Sequence, residues 1–226
     1  MLGHSGAPRG VAMADAKTKV FLSYSRKDSE FAEDLNQALD ACGFDAYLDK
    51  HDIAAGESWE DRLGRLIEAA DTVVFVISPD SVASERCEWE VRKAEALGKR
   101  LLPVVWRAVG EAETPDRLKR LNYIFFTGKD RSFARGLAEL VKALNTDLDW
   151  IREHTRLGEL AARWESRGRP EALLMHGDDI AAAKAWASHR PTDAPEPTLL
   201  QRELVAESEK AEAARTRTEG EQKARA

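Results

Sequence analysis

The chain has 226 residues, 43% hydrophobic and 33% charged, with a formal net charge of −6. That suffices for one packed domain plus a remainder, and the acidic balance argues against a global basic field for nucleic acid. Its two cysteines, Cys42 and Cys87, show neither CxxC spacing nor a Cys/His cluster, so a metal is poorly supported and a reducing, cytoplasmic setting fits.

Residues 1–16 lack the apolar core of a secretory signal and read as disordered, with Met13 a candidate start of translation. No apolar run approaches the roughly 18 residues that would span a bilayer. Order begins at a run, Val20–Tyr24, suited to a strand buried on both faces. Its tip turns polar at once through Ser23, Tyr24, Ser25, Arg26 and Lys27, either an anion- or sugar-contacting tip or an ordinary strand-to-helix loop. Asp28 is the expected N-cap of a helix whose inner face carries Phe31, Leu35, Leu39 and Cys42, and Gly43 is its stop. A second strand, Phe44–Asp49, alternates apolar and polar residues as an edge strand does.

A loop from Lys50 to Glu57 leads to a helix with Ser58 as cap and Asp61 three residues on, its stripe formed by Trp59, Leu63, Leu66, Ile67 and Ala70. The run Thr72–Ser78 is the most apolar in the chain and reads as the central strand, ended by Pro79. Another helix is expected from Ser84 to Leu97, stopped by Gly98. Strands follow at Arg100–Trp106, with Pro103 awkwardly inside, and at Tyr123–Phe126. Phe133, Leu137, Leu140, Val141 and Leu144 then recur at helical spacing. This alternation predicts an α/β fold: a flavodoxin-like, five-stranded parallel sheet in order 2-1-3-4-5, helices on both faces, and a switch point between the first and third strands.

Beyond Asn145 the alternation stops and a small α-helical extension is expected. Asp147–Arg167 carries a stripe of Trp150, Ile151, His154, Leu157, Leu160, Ala161 and Trp164, broken at Gly168–Pro170. A short helix covers Asp179–Ser188, and Pro191, Pro195 and Pro197 read as a linker before a helix capped by Thr198. Past Glu207 the sequence is polar, which predicts a fraying, stalk-like end to a truncated or short chain. The division is thus 1–16 disordered, 17–146 an α/β domain, 147–190 a helical extension, and 191–226 a Pro-containing linker with a charged helical tail.

Several chemistries are excluded by the motifs. There is no GxxxxGK[ST], no GxGxxG and no GxSxG. The strand tips Ser23-Tyr24-Ser25 and Ser78-Pro79 lack the acids with which a phospho-acceptor receiver domain holds its metal. The helix from Ser84 remains. At about 100° per residue, Cys87, Val91 and Ala94 share its inner face, with Glu90 about 60° round from Cys87, on the border of that face. Glu88 lies on the opposite flank and Glu85 points away. Glu90 is therefore the carboxylate best placed to face the switch-point crevice, although a border glutamate paired with Arg26 is an ordinary structural alternative.

These blocks resemble a bacterial Toll/interleukin-1 receptor (TIR) domain over Lys17–Leu144. Val20-Phe-Leu-Ser-Tyr-Ser25 is similar to the family's opening strand. Leu48-Asp49 through Ile53, Gly56 and Ser58 resembles its second-strand end and BB loop, and Ser84–Cys87 with Glu90-Val91 resembles its S-x-x-C-x-x-E-[LVI] stretch. The resemblance implies an NAD+ glycohydrolase of bacterial defence or signalling that cleaves the nicotinamide–ribose bond. Glu90 would be the catalytic carboxylate, with NAD+ as substrate and no cofactor. Tyr24, Ser25 and Arg26 would contact ribose or phosphates, and Trp59 would stack on a ring or remain a core-edge residue. Asp52, Ile53 and Gly56 of the BB loop would serve TIR–TIR self-association, which in this family completes the site. Two departures stand out: Arg86 where relatives often carry Trp, and Ala55 where many carry Pro.

The segments Asp149–Arg152 and Leu199–Glu203 resemble the linker of TIR proteins carrying WD-repeat propellers, implying a sensor or WD-repeat partner. The competing readings are a non-enzymatic TIR–TIR adaptor, and helices after Asn145 that form a separate protein-binding module or else dock through Trp150 and Trp164, or pack with Trp186.

Overall fold

The computed structural model describes residues 17–48, 58–110, 114 and 116–225. In chain order the elements are β1 (Lys19–Ser23), α1 (Ser29–Ala41), β2 (Asp45–Leu48), α2 (Trp59–Ala69), β3 (Thr72–Ile77), α3 (Pro79–Val82), α4 (Glu85–Ala96) and β4 (Arg100–Val105). They continue with α5 (Asp116–Lys119), β5 (Ile124–Phe125), α6 (Phe133–Asn145), α7 (Leu148–Ser166), α8 (Asp178–Ser188) and α9 (Leu199–Arg225). The strands are parallel, in the expected order β2-β1-β3-β4-β5.

Alternation along each strand sorts the core into two layers. Val20, Leu22, Val74, Val76 and Val104 face α1 and α6 through Leu35, Leu39, Leu140 and Leu144. Phe21 and Val73 turn the other way onto Leu63 and Ile67 of α2 and Ala94 of α4. Phe75 and Ile77 meet Cys87 and Val91. Every residue of β3 is buried, as its central place requires. Each such side chain contributes roughly 1.5–3 kcal/mol relative to exposure. β5 pairs only with Val104 and Val105, so the ladder on that side begins after Pro103, which has no N–H to offer it. At the β5–α6 corner the backbone of Gly136 lies against the Phe126 ring, where an added Cβ would come within 2.8 Å of it.

Several local expectations are corrected. β1 ends at Ser23 rather than Tyr24, because Ser25 caps a 3-10 turn over Arg26–Asp28. Asp28 precedes α1 without capping it through its side chain, since its carboxylate is drawn elsewhere. Cys42 is exposed at the helix end, because the helix finishes at Ala41 before its inner face comes round again. Ser58 occupies the N-cap of α2 but makes no side-chain cap bond. Pro79 does end β3, and also opens a short helix, α3, through a capping box between Ser78 and Ser81.

The helices after Asn145 lie against the amino ends of the strands. Arg152 donates from Nη2 to Thr18 Oγ1 at 3.1 Å, just before β1. Thr155 Oγ1 donates to the Ala70 carbonyl at 3.4 Å, just before β3. Gly98, just before β4, has φ +63, and a Cβ there would sit 2.9 Å from Thr198 Cγ2 and 3.3 Å from His154. The proline segment packs rather than linking loosely: Trp150 Nε1 donates to the Pro195 carbonyl at 3.0 Å, and Trp150 stacks on Trp186 with centroids 4.3 Å apart. Thr198 and Gln201 form a reciprocal cap on α9. A separate cluster joins Leu157, Ala161 and Trp164 of α7 to Ile180, Ala183 and Leu204. The polar tail continues as helix past Glu207. Ser208 is buried and accepts from Met175 N, Arg215 pairs with Glu171 and Glu212, and the helix runs to Arg225.

Candidate functional site

Glu90 belongs to the first half of α4, whose N-terminus is set by Ser84, the hydroxyl of which accepts from Cys87 N at 3.3 Å. The sequence placed Glu90 on the border of the inner face; in the structure it is 4% exposed and fully part of that face. The reason is its partner. Ser23, the last residue of β1, donates its hydroxyl to Glu90 Oε2, drawing the carboxyl across the switch point. Arg86, one helical turn back, places Nε 3.7 Å from the other oxygen, Oε1. Arg86, not Arg26, is thus the cation beside it. Burial pushes the Glu90 carboxyl up to about 7, and the Ser23 hydroxyl and the Arg86 charge oppose that rise.

Beside this pair opens a cleft of about 500 Å³, lined by Arg26, Trp59, Glu60, Glu85, Arg86, Trp89 and Arg92. Trp59 and Trp89 meet edge to face, centroids 5.2 Å apart, and the Arg86 guanidinium lies 5.4 Å above the Trp59 ring. Such a wall suits a flat ring and an anion together. The structure brings Arg26 and Trp59 into one cleft, and Arg86, which lines it, also faces Glu90. Tyr24 is half-buried and packs toward the α1–α6 core, its hydroxyl pushed up by burial and by the carboxylates of Glu33 and Glu90. Ser25 is half-buried and accepts from Lys27 N at 3.4 Å to cap its turn. Neither Tyr24 nor Ser25 is among the lining residues of the cleft. Asp52, Ile53 and Gly56 lie outside the described residues.

Sequence reasoning missed three features. In the sequence Ser23 is one residue of a polar tip, and its hydroxyl at a buried strand end is the available signal. Arg86 was read only as a departure. The third is a network beyond the tips of β1, β3 and β4, in which buried Asp28 accepts from Ser78 Oγ at 2.5 Å and from Arg107 Nη2 at 2.6 Å. Arg107 also reaches Asp80, which Lys27 contacts at 2.7 Å. Cys87, next to the site, is held as the thiol: burial and the neighbouring Glu90 charge push it up to about 12. A more apolar cleft of about 540 Å³ lies across β4, around Ile77, Val105 and Tyr123, and among the described residues no carboxylate lines it. Among the described residues no group of three or more His, Cys, Asp or Glu could hold a metal ion, and no helix is long and apolar enough to cross a membrane.

A five-stranded parallel sheet in this order, with a buried glutamate reaching across its switch point, defines the class. The family model described as TIR domain matches residues 20–141, and the chain belongs to that family. Among solved structures, the chain is similar to the TIR domain of the Toll-related receptor TRR-2 from Hydra magnipapillata. That match has 21% identity and a TM-score of 0.47, covering 54% of this chain and 97% of the other. It is also similar to a metazoan TIR-STING receptor from C. gigas, in complex with 2′,3′-cGAMP, at 24% identity and TM-score 0.47; there 56% of this chain spans 39% of that one. A third is the CMP N-glycosidase BcmB of Clostridium botulinum, at 20% identity and TM-score 0.41, over 56% of this chain and all of that one. No curated protein matches the chain.

Proposed function

We propose that this TIR domain is an NAD+ glycohydrolase that breaks the nicotinamide–ribose bond, with Glu90 as its catalytic carboxylate. The observation carrying this reading is a buried carboxyl, bonded to a strand-tip serine, directly behind a cleft of tryptophan and arginine. Loss of neutral nicotinamide leaves an oxocarbenium-like ribosyl cation. An ionised carboxylate in a low-dielectric site stabilises that cation and accepts from ribose hydroxyls. Arg26 and Arg92 would take the diphosphate, and Trp59 or Trp89 an aromatic ring. Water would then attack the anomeric carbon, or an adenine nitrogen would close a cyclic product. No cofactor is required, and the partner is a second TIR domain whose BB loop completes the site.

The alternative, a non-enzymatic TIR–TIR adaptor, is favoured by one observation: Glu90 is not among the residues lining the cleft. The test incubates concentrated, assembled protein with NAD+ and follows nicotinamide. Wild type should release it, and Glu90→Ala should slow release by about 10²–10³, the scale of losing one preorganised electrostatic partner. An assembled wild type that releases none would leave the adaptor reading standing. Equal release from both proteins would remove the role given to Glu90.

A further inference from the structure

Ser23 closes β1 on the face turned toward α4. Alternation puts Val20 and Leu22 against α1 and α6, and Phe21 and Ser23 on the opposite side. The Ser23 backbone is held by the sheet, in register with Phe75 of β3, and one side-chain torsion remains to aim its hydroxyl. That hydroxyl belongs to a residue 1% exposed, following three apolar residues that are not exposed at all. A polar group so placed needs a partner, and it finds one in Glu90 Oε2, on a helix 67 residues away in sequence.

A serine hydroxyl has one hydrogen to give and lone pairs with which to accept. Cys87, held as the thiol, is hydrogen-bonded to the Ser84 and Ser23 side chains, so Ser23 can accept from sulfur while its own hydrogen goes to Glu90. Among the described residues, the other groups that bear on Glu90 are the Arg86 guanidinium from α4 and the Tyr24 hydroxyl from the end of β1. The Ser23 bond is charge-assisted when Glu90 is ionised and only a neutral contact when it is protonated. It therefore favours the carboxylate in a place where burial favours the acid, and Glu90 titrates at about 7 as the balance of these effects.

We propose that Ser23 is a positioning residue for Glu90: its bond across the switch point fixes Oε2 and maintains the charged form of the carboxyl. A plain tie between β1 and α4 would contribute the same stability at every pH, whereas a bond that discriminates between the two forms of Glu90 would not. The use of that charge against a ribosyl cation rests on the glycohydrolase reading; the coupling of Ser23 to the charge does not.

The test titrates the full chain by NMR without NAD+, using 13C-labelled glutamate carboxyls, with the Glu90 signal assigned by its loss in Glu90→Gln. The wild-type midpoint should lie at about 7. Ser23→Ala should raise it by about one to two pH units, the scale of one hydrogen bond to a charged group. Ser23→Thr, which keeps the hydroxyl, should bring it back toward wild type. Chemical denaturation supplies a second reading, which decides even should the threonine variant not fold. A carboxyl with a raised folded value loses stability as pH rises through that value, so the gap between wild type and Ser23→Ala should widen between about pH 7 and 9 and stay constant below about pH 6. In the Glu90→Gln background the gap should not vary with pH. A midpoint unmoved by Ser23→Ala, or a gap equal at every pH, would overturn the role given to Ser23. A shifted midpoint in a protein that releases no nicotinamide would keep that role and remove the enzyme; release with an unmoved midpoint would do the reverse. Where both hold, Ser23→Ala should release nicotinamide about tenfold more slowly than wild type at about pH 6 and approach it by about pH 9, as the ionised fraction recovers.

Discussion

At the carboxyl ends of the strands Glu90 is buried, bonded by the Ser23 hydroxyl and faced by the Arg86 guanidinium, which lines a cleft. At the amino ends the basic residues Lys99 and His154 are also buried and Arg100 partly so, yet apart from a bond from Arg100 to Thr72 Oγ1 their contacts are with backbone carbonyls. Lys99 Nζ donates to Glu68 O at 2.6 Å, and Arg100 donates to the carbonyls of Ala143, Leu144 and Thr146 at the end of α6. His154 bonds Glu196 O at 3.0 Å through Nε2, which must carry the hydrogen because a carbonyl only accepts. Burial lowers His154 to about 4 and Lys99 to about 8. One end uses buried polar groups to lock helices onto the sheet. The other holds a buried carboxyl between two side chains, one of which lines a cleft.

Trp150→Ala removes a stacked ring and the bond to Pro195 and should cost about 3–5 kcal/mol, as aromatic truncations in cores do. Thermal unfolding should show it, and limited proteolysis should then cut between α7 and α9 while α4 stays protected. Glu90→Gln should do the reverse. Because the folded carboxyl titrates near 7 rather than its unperturbed value of about 4.3, the native state binds more protons than the unfolded state between those values. Stability due to Glu90 therefore falls as pH rises through that window. The amide variant should be more stable than wild type by roughly 1–3 kcal/mol at pH 8 and indistinguishable from it at pH 4.

His154 has the opposite sign. Its folded value lies below the unperturbed one of about 6.5, so its contribution is present above that and lost as pH falls toward 4. The two ends thus tilt the stability curve in opposing directions. Chemical denaturation of His154→Gln across pH 4–8 should expose the Glu90 slope, and Glu90→Gln the His154 slope. Gly98→Ala sets a side chain at φ +63 and within 2.9 Å of Thr198, and should cost on the order of 1 kcal/mol from the left-handed backbone alone. On the proposed glycohydrolase reading, nicotinamide release per folded molecule should not change with it, because Gly98 is at the far end of the sheet.

Much of this was legible in the sequence because it depends on local periodicity. The apolar runs at Val20, Thr72 and Arg100 fix strands, and Gly43 and Gly98, both at positive φ, do stop their helices. Glu90 emerged from a helical angle and a family resemblance, but its burial did not. A border position on a helix becomes interior only when something across the sheet claims it, and Ser23 lies 67 residues away. Asp28 escaped for the same reason, since its partners Ser78 and Arg107 come from other strand ends. The tail beyond Glu207 was misjudged because its stripe is short. A few anchors, Ser208 and Arg215 among them, hold one turn after another against the rest of the bundle.

The network around Asp28 has a mechanical meaning. Asp28 follows β1, Ser78 follows β3 and Arg107 follows β4, and their mutual bonds act as stitches across three neighbouring strand ends. The Ser23–Glu90 bond adds a third stitch, from β1 to the helix that carries the carboxylate. A seam closed at so many points has a fixed width, and prying its strands apart would break several charge-assisted bonds at once. The ends of β1, β3 and β4 are thereby tied to one another and to α4.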